Sequence, residues 1–263
     1  MRLRGSLVCI AVLGALALPG PALAAFHLME IEQVIGGVNG DTTAQAVQLK
    51  MRFAGQNLLA GVAQVVVRDA AGLNPVTLAT FALPNKTSGA CRELLLATAG
   101  FEFKTTPPVD ATKRDYLMTA IPAAYLAAGS LTFEQIGNPT PWWRTSWGGA
   151  GYTGNSTVVA GAFTVANDLD GSASPAFAGP LSSTSLQALR FTAACATQSV
   201  NNAADYALTP GAAVFVNNAL TSFTVTAPPA PEVPIFPGSA GLVLVVALGA
   251  LTACAAVVRR RLA

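Results

Sequence analysis

All three tryptophans of the chain fall in one stretch, PTPWWRTSWGGAGYTGNST: Trp142, Trp143 and Trp147, with Arg144 between them and Tyr152 following. Exposed rings at such spacing form a platform on which sugar rings stack, through apolar and π contacts. Turned inward, the same rings plug the end of a β structure. In a strand Trp143 and Trp147 share a face and Trp142 points the other way. Trp142 is therefore expected in the core, with Trp143 and Trp147 outward and Arg144 and Tyr152 beside them as candidate ligand contacts.

A second candidate is NDLDG, residues 167–171. Asp168 and Asp170 flank one residue ahead of a glycine, like the opening of an oxygen-ligand calcium loop. A full loop of that type also needs an acid where Ala166 stands and a glutamate where Phe177 stands. Two readings stay open: a partial calcium site completed by other loops, or an Asx-type turn. No other cofactor is implied. His27 is the single histidine and lies near an expected new chain terminus, a poor place for a general base. The chain has no G-x-S-x-G, H-E-x-x-H or P-loop spacing, so nucleophile-elbow, zincin and phosphate-cradle chemistry lack an anchor. A non-catalytic role is expected.

The elements that must position these residues read as strands. In AVQLKMRF, Val47, Leu49, Met51 and Phe53 alternate with Gln48, Lys50 and Arg52, the period-two pattern of a strand with one buried face. Met29 and Ile31 alternate with Glu30 and Glu32 in the same way. VAQVVVR, VTLATF, ELLLAT, SLTFEQI, QALRFTA, AAVFV and TSFTVT are further strand candidates, while PAAYLAAG offers only a turn or two of helix. Many short strands with Gly and Pro between them predict an antiparallel β-sandwich or barrel.

Both ends of the chain are apolar. Arg2 and Arg4 precede LVCIAVLGALALPGPALA, which ends in Ala22-Leu23-Ala24, the charged start, apolar middle and small-residue site of a signal peptide, here 1–24. Nineteen uncharged residues run from Ala240 to Val258 before Arg259, Arg260 and Arg261. As a helix they reach about 28 Å, close to the hydrocarbon thickness of a bilayer, so 238–263 is expected to span it. Arginines flank both segments on the outer side, which keeps those flanks cytoplasmic and places everything between them outside. Between the ends lie the body, 25–226, and a spacer, 227–237. Pro228 to Pro237 holds five prolines, and extended at about 3.1 Å per residue it makes a stiff connector of about 30 Å.

Charge and cysteine usage divide along the same lines. Five of the fifteen basic residues lie in the two ends and none of the thirteen acids does, so what lies between carries ten bases against thirteen acids. That balance argues against a nucleic-acid partner, whose phosphates call for a basic stripe. Cys9 and Cys254 belong to the ends, leaving Cys91 and Cys195 in the body. In an oxidising compartment these two are expected to bond, the alternative being two separately buried thiols.

The ending, Pro231-Glu232, a short spacer, an apolar helix and the cluster Arg259-Arg260-Arg261, resembles the PEP-CTERM type of sorting tail, with Val233 where that family has a third-position proline. The resemblance implies recognition by an exosortase-type membrane enzyme in a bacterium with an elaborate envelope. AQAVQLKM, LLAGVAQVVVRDAAG and NNAADYALTPGAA are similar to segments of the lamin-tail domain, with Gln48 where that family has a glutamate. This resemblance implies a single immunoglobulin-like sandwich. The expected function is that of an exported, membrane-tethered or tail-processed envelope protein for display, adhesion or matrix contact. The alternative is a carbohydrate-binding module that holds an extracellular polysaccharide on the tryptophan stretch.

Overall fold

The computed structural model describes residues 28–154, 176–197 and 202–227. The chain divides into two units, Met1–Ala227 and Pro228–Ala263, and the second lies wholly outside the described residues. So do the expected signal peptide, His27, the Asp168 and Asp170 pair, and the tail residues Pro231, Glu232, Arg259, Arg260 and Arg261. Among the described residues no helix is long and apolar enough to cross a membrane.

The protein is all-β, with thirteen described strands, numbered in chain order, in three sheets. The largest has the order β11-β10-β1-β2-β5-β7: β11 (Tyr206–Leu208), β10 (Leu189–Phe191), β1 (Met29–Ile35), β2 (Ala46–Met51), β5 (Glu93–Ala97) and β7 (Tyr116–Leu117). Its pairs are antiparallel except β5 with β7, which run parallel. A four-stranded antiparallel sheet has the order β4-β3-β8-β9: β4 (Val76–Thr80), β3 (Ala63–Arg68), β8 (Gly129–Gln135) and β9 (Asn138–Trp147). The third joins β12 (Val214–Val216), β13 (Ser222–Val225) and β6 (Thr105–Thr106). PAAYLAAG supplies only a short 3-10 turn, Ala123–Tyr125.

Alternation explains the core. Val47, Leu49 and Met51 of β2 point to the same side as Met29 and Ile31 of β1 and Leu94 and Leu96 of β5. They meet Ala63, Val65 and Val67 of β3 and Leu131 and Phe133 of β8. Each large apolar side chain so buried contributes about 1.5–3 kcal/mol. Phe53, next in the alternation, does not follow: β2 ends at Met51, and Phe53 is 48% exposed.

The opposite face of the large sheet is covered as well. Ile35, Ala46, Leu95 and Ala97 form a second core with Phe101, Phe215, Phe223 and Val225, contributed in part by the three-stranded sheet. Gln33 Nε2 donates to the Val214 carbonyl at 2.7 Å, and Gln48 Oε1 accepts from the Val216 amide at 2.6 Å. The polar set Glu30, Glu32, Gln48 and Arg52, expected to face water, is consequently buried. A third layer therefore stands beside the two sheets of the expected sandwich.

Candidate functional site

The tryptophan stretch forms β9, and its register on β8 settles where each ring goes. Trp143 pairs with Phe133, Thr145 with Leu131 and Trp147 with Gly129, so Trp143 and Trp147 share a face as expected. That face is the one carrying Phe133 and Leu131, and it is turned into the core. A bulge lies between Phe133 and Glu134, whose partner is Pro141, so Trp142 is the extra residue of β9. A bulge sets two residues against one and re-aims a side chain. Trp142 thereby joins the inward face, its ring 5.3 Å from that of Phe133. Trp142, Trp143 and Trp147 are 1%, 0% and 0% exposed. The expected outward position of Trp143 and Trp147 is corrected: all three rings are core, and none forms a platform.

Each ring is held by specific partners. Trp143 donates its indole N–H to the Tyr206 hydroxyl, packs edge-on against Phe191 with centroids 5.3 Å apart, and carries the Arg52 guanidinium 5.2 Å above its face. Trp147 donates to the Tyr125 carbonyl at 2.8 Å. Gly129 opposite it leaves the needed room: a Cβ there would stand 3.2 Å from the Trp147 ring and 2.7 Å from the Arg68 carbonyl.

Arg144 and Tyr152, the other two candidate contacts, lie on the far side of this sheet. Arg144 pairs across from Thr132, and both Arg144 and Tyr152 are nearly buried, at 9% exposed. With Arg68, Ser130, Thr132 and Pro141 they line a recess of about 90 Å³. Small-ligand sites usually run from roughly 300 Å³ upward, so this recess is smaller than such sites. Arg68 is committed to a buried carboxylate, donating Nη1 to Glu134 Oε2 at 2.9 Å, Nη2 to Glu134 Oε1 at 3.2 Å and Nη1 again to Thr132 at 2.7 Å. A forked pair of this kind fixes β3 against β8.

The polar cluster on the other face of the large sheet is one that sequence reasoning passed over as a solvated face. Lys50 bridges Glu32 at 2.5 Å and Glu93 at 3.6 Å, and Arg190 reaches Glu32 at 3.3 Å. Gln48 Nε2 also donates to Glu32. Glu30 is the odd member. Burial lifts its pKa from 4.5 to about 7, and the neighbouring Glu32 charge adds to the rise, while Lys50 and Arg52 oppose it. The signal lay in paired strands with facing acids and bases, Glu30 across from Lys50. Among the described residues no three His, Cys, Asp or Glu side chains converge as a metal site.

Cys91 and Cys195 are joined as a disulfide, 104 residues apart in sequence with Cα atoms 5.8 Å apart. The bridge ties the turn before β5 to the loop after β10, and the Cys91 amide donates to the Met51 carbonyl at 2.7 Å. Compared with protein-family models, curated proteins and solved structures, the chain matches none.

Proposed function

We propose that this chain is an exported protein of the cell envelope whose β-body serves surface display, adhesion or matrix contact and carries out no catalysis. The observation that carries the reading is the Cys91–Cys195 bond. An intramolecular bridge between the body's two cysteines suits an oxidising compartment outside the cytoplasm. The apolar ends with their outward-flanking arginines support the same topology, with the tail as a membrane helix or as the substrate of an exosortase-type enzyme. Within this reading the two larger sheets form an immunoglobulin-like sandwich of the lamin-tail type, and the three-stranded sheet is an addition to it. An extracellular polysaccharide is the proposed partner class, contacted by surfaces other than the buried tryptophan rings. Calcium at Asp168 and Asp170 belongs to the same proposal.

Cell fractionation tests it, using a tag inserted in the spacer and a variant with Arg259, Arg260 and Arg261 made neutral. The expected result is an exported parent chain and disturbed retention of the variant. An unchanged cytoplasmic pool in both overturns the reading. The intact mass of the exported protein distinguishes a tethered chain from a cut one, and glycan binding with and without EDTA reads the polysaccharide and calcium proposals.

A further inference from the structure

Beneath the loop 192–197 lie two charged side chains that the fold keeps from water. Glu30 and Arg52, at one end of the β1–β2 pair, are 1% and 2% exposed, with Arg52 Nε 4.0 Å from Glu30 Oε2. The loop is part of their cover: Arg52 Nη2 donates to the Ala196 carbonyl at 3.1 Å, and the Ala196 backbone also hydrogen-bonds Glu30. Glu30 Oε2 has no hydrogen-bond donor among the described residues, and an ionised carboxylate in that position is disfavoured.

The Cys91–Cys195 bond pins this cover down. Cys91 is exposed and Cys195 half-buried, so a small thiol reaches the bridge, and exposed bridges are the reducible ones. The backbone is strained at Cys91 and next to Cys195. Cys91 has φ 59° and Ala196 φ 67°, the left-handed region that residues with a Cβ occupy only at a cost.

We infer that 192–197 is a redox-operated strap: reduction of the Cys91–Cys195 bond by a small dithiol lets it lift, and lifting opens the Glu30–Arg52 pair to water. The dithiol's first thiolate attacks one bridge sulfur, breaking the S–S bond and forming a mixed disulfide. Its second thiolate then displaces the protein sulfur. Two electrons pass to the bridge, two protons end on Cys91 and Cys195, and the dithiol leaves as its own cyclic disulfide.

Closure of the strap is also linked to pH. Facing Glu30 are Glu32 on its own strand, Lys50 on β2, Arg52 just after β2 and the Ala196 peptide of the strap. Behind them Glu93 of β5 engages Lys50, and Arg190 of β10 engages Glu32. With the strap down, Glu30 holds its proton up to about 7, whereas in water it would lose it near 4.5. The Glu30 contribution to closure is thus fully present below 4.5, is lost as pH rises to about 7 and is constant beyond that.

The test is a carbon-13 NMR titration of the Glu30 carboxyl in the full-length protein, oxidised and in dithiothreitol, with phenylglyoxal labelling of Arg52 read by mass. Oxidised protein is expected to titrate near 7 with Arg52 protected, and reduced protein near 4.5 with Arg52 labelled. Cys195→Ser is expected to show the reduced behaviour without reductant, and Glu30→Gln to flatten the pH dependence of strap opening. Identical Glu30 titration in both redox states, with Arg52 protected in both, overturns the inference. Loss of the cooperative melt on reduction overturns it too, because the bridge would then be a staple of the whole fold.

Discussion

Trp143 donates its indole N–H to the Tyr206 hydroxyl at 2.7 Å, and the Tyr206 hydroxyl donates in turn to the Ile31 carbonyl at 2.6 Å. The relay runs from β9 of the four-stranded sheet to β11 and β1 of the six-stranded one. It turns a bulky apolar plug into an oriented brace between sheets, because a buried N–H and O–H must each find an acceptor.

The tryptophans are accordingly expected to behave as core residues. Trp142→Ala, Trp143→Ala and Trp147→Ala should each cost about 3–5 kcal/mol in urea or thermal unfolding. Tyr206→Phe should cost about 1–3 kcal/mol, since it strands the Trp143 donor and the Ile31 acceptor while removing little volume. A loss below about 1 kcal/mol for Trp143→Ala would return that ring to the surface.

Glu30 should give the protein a pH dependence of definite sign. Its folded pKa, about 7, lies above the ordinary 4.5, so the folded state holds a proton that the unfolded chain releases. Stability from this group is complete below 4.5, falls as pH rises to about 7 and stays low above it. A shift of that size corresponds to a loss on the order of 3 kcal/mol. Urea unfolding at several pH values should show a steeper fall in the parent than in Glu30→Gln. Equal slopes would refute the assignment.

The Arg68–Glu134 pair is expected to be non-additive. Arg68→Ala leaves the buried Glu134 carboxylate, 2% exposed at its side chain, without its guanidinium partner. The cost should be about 3 kcal/mol, whereas Arg68→Leu combined with Glu134→Leu should recover most of it. Thermal melts of the single and double variants report the coupling.

Gly148 closes β9 with φ 102°, and a Cβ there would stand 2.4 Å from the Ala128 Cβ. Gly148→Ala should therefore cost about 1–3 kcal/mol from backbone strain alone, with the clash adding to it. Gly211, with open space around its Cβ position and no positive φ, is the control: Gly211→Ala should leave the melting temperature nearly unchanged.

Much of the fold could be read locally. Alternation in AVQLKM and in Met29–Glu32 located β1 and β2 and their inner residues, because one covered face imposes period two wherever it occurs. Cys91 and Cys195 could be paired from sequence because the other two cysteines lie in the apolar ends. That Trp142, expected in the core, shares the inward face with Trp143 and Trp147 could not be read, since one inserted residue at Pro141–Trp143 breaks the period and leaves no local mark.

Alternation says that a strand has two faces and says nothing of what covers the second. Gln48, Lys50 and Arg52 look like a solvated edge in sequence, and alone they would be one. Their burial depends on Val214 and Val216, over 160 residues further on, and on a loop held down by Cys195. By itself the sequence determined most of the longer strands and their apolar face, which follow from neighbouring residues, and the one available cysteine pair, which follows from elimination. The tertiary structure alone decided that the polar face is interior and that Trp143 and Trp147 join Trp142 in the core, because burial belongs to the packing of distant segments rather than to any one strand.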